Sequence, residues 1–214
     1  MDNIGYVLYI CLLIPMLLSL FVLEKKSRIV VGYMLIGATV CIFISEFNGF
    51  LYTEMKKDML YFCTAVSPIT EEIIKALPVL FFALFISDKR QDLVQISFAT
   101  GLGFAIMEST TMLTQNMDSI NIIWAVVRGF GAGLMHSVCT IFVGMGISFV
   151  KKKRKLFFSG LIALLMLAIT YHSIYNTIVM SDYKYFGFVL PLATYLPILI
   201  FYHTLKAPKK RDAA

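Results

Sequence analysis

Two adjacent carboxylates, Glu71 and Glu72, stand inside an apolar run from Met59 to Phe85 that otherwise reads as membrane-spanning. One ionised side chain at the centre of such a helix costs roughly 2.5–3.5 kcal/mol on the insertion scale. A pair therefore needs partners, water or protons, and marks a functional site. Lys75 supplies one partner, since it follows Glu71 by four residues and Glu72 by three on the same helical face. Three further apolar runs each bring a polar group of suitable chemistry. Glu108 ends Gly101-Leu-Gly-Phe-Ala-Ile-Met-Glu108 and shares a face with Phe104. His136 shares a face with Thr140 and, two turns earlier, with Arg128; His172 repeats the four-residue spacing with Asn176.

Carboxylates beside histidines can activate water, either directly as a general base or by ligating a metal whose bound water becomes acidic. Asn176, one turn from His172, could donate a hydrogen bond to a developing oxyanion. Peptide hydrolysis uses all three functions. The expected assignment has Glu71 as water-activating base or metal ligand, with Glu72 as its partner and Lys75 holding their charges. Glu108, His136 and His172 complete the site, and Arg128 either neutralises a carboxylate or stands near the outer interface. The sequence has no HExxH, so metal ligands drawn from Glu71, Glu108, His136 and His172 would come from separate helices. A divalent metal such as zinc and a metal-free mechanism both stay open. Two other classes also use buried Glu and His: a proton-coupled transporter with a relay, and a non-catalytic scaffold or immunity protein that binds a partner. Against a transporter, no paired interrupted spans occur in corresponding halves.

The elements that must position these groups are membrane helices. The chain of 214 residues is 59% hydrophobic and only 15% charged, with a mean hydropathy of +0.81, which excludes an ordinary soluble domain. In a bilayer the backbone is satisfied within spanning helices. The net charge of +6 could suggest nucleic acid, but the basic residues lie in short loops between apolar runs. That distribution sets membrane orientation and argues against a nucleic-acid partner. Cys11, Cys41, Cys63 and Cys139 lie in or near apolar segments without CxxC spacing and read as small buried residues. His203 reads as interfacial. The first apolar run lacks a basic region and cleavage site and reads as a retained span.

Seven runs are long enough to cross, at roughly 4–23, 29–52, 59–86, 92–115, 119–150, 156–180 and 185–205. The fold expected is an all-α polytopic bundle forming a single membrane domain over 1–214, with its motif-bearing core at about 59–180. Lys25, Lys26, Arg28, Lys89, Arg90, the Lys151–Lys155 cluster and the C-terminal basic residues fall on alternate loops, against Lys56, Lys57 and Lys184 opposite. The positive-inside rule then puts the N-terminus outside and the C-terminus in the cytoplasm. Counting depth from these ends sets the polar groups in the outer half of the bilayer, with His136 slightly deeper. Ser67-Pro68 is expected to break the third span, and the glycines from Gly129 to Gly146 in the fifth to permit close helix approach.

Glu71-Glu72-Ile-Ile-Lys75, the segment ending in Glu108, Arg128 with His136 and Thr140, and His172-Ser-Ile-Tyr-Asn176 together resemble the ordered motifs of PrsW-type intramembrane proteases. The resemblance covers roughly residues 67–180. It implies a multi-pass bacterial membrane enzyme that makes the first cut in an anti-sigma factor, with a membrane-embedded protein or lipophilic peptide as substrate. The set is also similar to the CAAX-prenyl endopeptidase and bacteriocin-immunity superfamily, whose Phe-x-x-x-His motif corresponds here to Phe104-x-x-x-Glu108. The carboxylate at 108 favours the PrsW branch, with His136 as the replacement histidine. Ser109 departs from the Asn expected after that Glu. A likeness extends to the seven-span scaffold subunit of gamma-secretase, which keeps histidines without being the protease.

Overall fold

The structure is a computed structural model that describes residues 4–115, 121–151 and 154–206. Every regular element among those residues is helical: α1 (Ile4–Ser19), α2 (Lys25–Met55), α3 (Met59–Tyr61), α4 (Ser67–Phe85), α5 (Arg90–Gln115), α6 (Ile122–Val126), α7 (Gly133–Ile147), α8 (Arg154–Val179) and α9 (Val189–Lys206). Two π-helical turns, Phe62–Val66 and Val127–Ala132, join α3 to α4 and α6 to α7, and a 3₁₀ turn, Lys184–Phe186, precedes α9. The loops are set by local chemistry. Lys56, with φ 50°, ends α2 in the left-handed region, and the Asp58 carboxylate then caps α3 by accepting from the Tyr61 N–H at 2.7 Å. Asn121 caps α6 in the same way through Trp124 N–H at 2.8 Å.

Five helical stretches among the described residues are long and apolar enough to cross a membrane: Lys25–Met55, Arg90–Gln115, Ile122–Ile147, Lys155–Val179 and Lys184–Thr204. The first expected span forms the shorter helix α1. The third fails the same test of composition because α4 carries Glu71, Glu72 and Lys75, the residues that drew attention to it. The expected ends at Asp118 and beyond Lys206 lie outside the described residues.

α4 is amphipathic with its polarity inverted. Glu71, Glu72, Lys75, Val79 and Phe82 are buried, whereas Ile69, Ile73, Leu77, Phe81 and Phe85 repeat every four residues on the opposite, exposed face. In a bilayer that apolar stripe meets lipid, and the charged stripe must be satisfied inside the bundle. α5 packs along α2 on one side and α7 on the other, α7 lies along α8, and α4 closes against α2, α7 and α8. The apolar core between α4, α5, α7 and α8 includes Val79, Leu93, Met135, Val138, Ala168 and Tyr175.

The break expected at Ser67-Pro68 takes another form. Pro68 stands in the first turn of α4, where a missing N–H is tolerated, and the irregularity appears one turn earlier as the π turn Phe62–Val66. The fifth span likewise passes through a π turn, Val127–Ala132, that contains Gly129 and Gly131. The later glycines serve contact: a Cβ on Gly146 would lie 2.8 Å from the Gly160 carbonyl oxygen, so α7 and α8 meet backbone to backbone there. Gly129, by contrast, has open space around it.

Gly101 makes the closest approach beside the polar core. A Cβ there would lie 2.5 Å from the His136 carbonyl oxygen and 2.6 Å from Ser137 Cα. Gly101→Ala is therefore expected to part α5 from α7 and to cost about 1–3 kcal/mol, as overpacked sites do. Thermal unfolding in detergent measures this, and an unchanged midpoint would contradict so tight a seam.

Candidate active site

Four helices converge on one buried group. α4 contributes Glu71, Glu72 and Lys75, α5 contributes Glu108, α7 contributes His136, and α8 contributes His172. Glu72, Lys75 and His136 are fully buried, His172 is 1% exposed and Glu71 5%. Glu108 is more open, with 21% of its side chain exposed, and so marks the side from which the group is reached.

Lys75 is the hub. Its Nζ donates to Glu72 Oε1 at 2.7 Å, lies 3.0 Å from His136 Nδ1 and stands 4.6 Å from the centre of the Phe104 ring. An ammonium has donors only, so His136 Nδ1 is the acceptor and Nε2 carries the hydrogen. That N–H faces Glu108 Oε2 at 3.1 Å, and the same oxygen accepts from Arg128 at 2.7 Å. His136 thus has both nitrogens engaged. His172 has the opposite arrangement: Nδ1 lies 2.8 Å from Glu72 Oε1 and donates to it, so in the neutral ring the Nε2 lone pair is left to face Glu71 Oε2 at 3.8 Å. Lys75 pairs with Glu72; among the described residues it makes no ion pair with Glu71, although the i,i+4 spacing allowed one.

The position of Glu71 is set from α2. Asn48 donates to Ser67 Oγ at 3.2 Å and accepts from Thr70 Oγ1 at 2.7 Å, and Ser67 Oγ in turn donates to Glu71 Oε1 in a short hydrogen bond. The other oxygen, Oε2, is buried and has no donor among the described residues. With His172 neutral and Glu71 ionised, two lone-pair atoms, Glu71 Oε2 and His172 Nε2, face each other at 3.8 Å. Burying acceptors in that way is costly unless something electropositive sits between them.

That arrangement fits a metal ion. Glu71, His136 and His172 each offer one ligand atom, and the three atoms lie within 4.8 Å of one another. Ligands about 2.0–2.2 Å from a shared tetrahedral ion stand roughly 3.4 Å apart, close to the 3.8 Å between Glu71 and His172. The Glu72–His172 hydrogen bond is the carboxylate–histidine support that metal-binding imidazoles normally have. His136 would have to give up one of its two contacts to join. Glu108, included in the sequence-based ligand set, falls outside this trio and is held by Arg128 on the far side of His136.

Asn176 and Thr140 both bond to backbone carbonyls. Asn176 Nδ2 donates to the Cys63 carbonyl at 2.8 Å, tying α8 to the first π turn. Thr140 Oγ1 donates to the His136 carbonyl one turn back, within α7. Asn48, Ser67 and Thr70 were not expected at the site. Ser67 stands four residues before Glu71, the spacing of Glu71–Lys75, His136–Thr140 and His172–Asn176, and Asn48 is a polar residue in an apolar run; both signals were present. Ser67→Ala removes the hydrogen bond to Glu71 Oε1 and is expected to lower activity about tenfold while Ser67→Thr restores most of it. Equal activity of the alanine variant and wild type would remove Ser67 from the site.

Against protein-family models, residues 25–203 match the one described as PrsW family intramembrane metalloprotease. No curated protein and no solved structure matches the chain.

Proposed function

Because the chain belongs to the PrsW family of intramembrane metalloproteases, we propose that its Glu/His group hydrolyses a peptide bond in a membrane-embedded protein. The observation that carries this reading is the approach of Glu71 Oε2 and His172 Nε2 to 3.8 Å, with ligand atoms of Glu71, His136 and His172 all within 4.8 Å of one another. Glu71, His136 and His172 would hold a divalent metal such as zinc. When bound, that ion supplies an acidified water and a polarised scissile carbonyl.

The remaining residues orient groups and move protons. Glu72 fixes the His172 ring through Nδ1 and keeps Nε2 turned toward Glu71. Lys75 compensates the Glu72 charge; to join the metal site, His136 would release Lys75 from Nδ1 and keep its Nε2–H on Glu108. Glu108 is the proton carrier: it is the most accessible of the three carboxylates, and Arg128 and His136 both bind Oε2, so Oε1 faces the substrate side. It takes a proton from the attacking water and returns it to the leaving amine. Asn176 has two amide hydrogens; one is used on Cys63, and the second serves the oxyanion.

In this reading the molecule has seven spans, α1 and the α3–α4 unit included, with its N-terminus outside and its C-terminus in the cytoplasm of a bacterial cell. The site then opens toward the outer half of the bilayer, as suits the first cut in an anti-sigma factor or a comparable single-span protein. Comparative membrane proteomics of cells carrying wild type or Glu108→Gln tests it. A truncated membrane-protein fragment present only with wild type is expected, together with equal metal content in the two purified proteins. Fragments of equal abundance in both strains would refute the proteolytic role of the group. Metal lost from the Glu108→Gln protein would instead overturn the division between ligand and proton carrier.

A further inference from the structure

A cavity of about 510 Å³ lies apart from the Glu/His group, in a crevice between α2 and α9 with α5 and α7 as its floor. It falls within the size range of ligand sites, roughly 300–1,000 Å³. Its polarity is graded along its length. Lys26, Ser27, Gln95 and Tyr202 gather at one end, and the remaining lining, including Val30, Val31, Phe98, Ile141 and Ile198, is apolar or aromatic. Among the described residues, Lys26 is the only charged one in the lining, and it is exposed. The polar end is also the end of the bundle where Lys25, Arg28, Lys89 and Arg90 lie beside Glu24, Asp88 and Asp92, so with Lys26 the basic residues there outnumber the acidic ones. The apolar end reaches the α5–α7 seam, where Ser137, next to His136, donates to the Phe98 carbonyl.

We propose that this crevice binds one anionic phospholipid, with an acyl chain in the apolar part and the phosphate against Lys26. An amphiphile matches a cavity that is polar at one end only, and an anionic headgroup matches a mouth with a lysine and no carboxylate in its lining. A substrate helix matches poorly. The lining residues of α9 run from Tyr195 to Tyr202, about 10 Å along the helix axis. A helical segment of that length and about 10 Å across would need roughly 800 Å³, more than the cavity offers. The site is independent of the protease reading, since neither the mouth nor the walls include a residue of the Glu/His group.

Full-length protein reconstituted in phosphatidylcholine vesicles with a minor fraction of phosphatidylglycerol, then extracted in mild detergent, gives a direct test by native mass spectrometry. Wild type is expected to retain one phosphatidylglycerol per chain, enriched several-fold over its share of the vesicle. Lys26→Ala, at an exposed position, is expected to lower that ratio to the vesicle composition while lipid is still retained. Leu199→Trp, which fills the crevice from its exposed wall, is expected to remove both lipids with the thermal midpoint unchanged. Wild type that retains the two lipids in vesicle proportion, or a Leu199→Trp protein that holds as much lipid as wild type, would overturn the proposal.

Discussion

Glu71→Gln is expected to lower peptide cleavage by at least about 10²-fold, the scale on which a positioned reacting group contributes, without loss of fold. The substitution preserves shape but changes the pairing of atoms. In the wild type, Glu71 Oε2 and His172 Nε2 are two buried acceptors 3.8 Å apart. A glutamine amide puts N–H hydrogens against that imidazole lone pair, and two atoms suited to share a cation become a satisfied donor and acceptor. Thermal stability should therefore hold or rise, while bound metal and cleavage are lost together. Immunoblotting for the substrate fragment and elemental analysis of the purified protein give the two readouts. Glu71→Gln protein that cleaves at the wild-type rate would end the assignment, and metal retained at full occupancy would remove Glu71 from the ligand trio.

Lys75→Met has the second large effect, and its first sign is on stability. The ammonium is wedged between Glu72, His136 and the Phe104 ring with no exposure to solvent. Its removal leaves the Glu72 carboxylate buried without its cation, a loss of about 3–5 kcal/mol for pairs of this kind. Glu72 also orients His172, so the imidazole that faces Glu71 loses its support, and metal affinity should fall about 10–100-fold. Adding Glu72→Gln should restore most of the stability, because a neutral amide oxygen still accepts from His172 Nδ1 and no charge is left uncompensated. Denaturation in detergent across the double-mutant cycle measures the coupling. Single variants whose losses simply add in the double would show that the two residues do not form a functional pair.

Much of this was legible in the sequence, for one physical reason: the bilayer makes ionisable residues costly, so those present stand out. Glu71, Glu72, Lys75, Glu108, His136 and His172 were all named on that ground, and the structure brings them into one network. Helical spacing could show which residues share a face, but could not choose between neighbours on it. It allowed Lys75 to reach either carboxylate, and rotamer and packing selected Glu72. Nor did it show that Glu108 pairs with both Arg128 and His136 through one oxygen. The π turns were hidden for a different reason. An extra residue in one turn leaves the apolar pattern intact, and only the proline at 68 and the glycines at 129 and 131 hinted that the backbone departs from the regular period there. Span counting also reached its limit at α4, where the charges that do chemistry lower the very hydropathy by which a span is recognised.

One property of the buried network bears on how the protein is made. Three carboxylates, Glu71, Glu72 and Glu108, share it with two permanent cations, Lys75 and Arg128, and with two imidazoles that can be neutral. Three minus two leaves one negative charge in excess. A helix bundle assembling in lipid cannot leave that charge bare, so each newly inserted molecule must take up a proton or a cation before its helices close. Where a cation rather than a proton fills that role, cation supply in the cell would govern how much of the protein matures, and a shortage would be seen first as lost abundance, before any change in the rate of the molecules that remain.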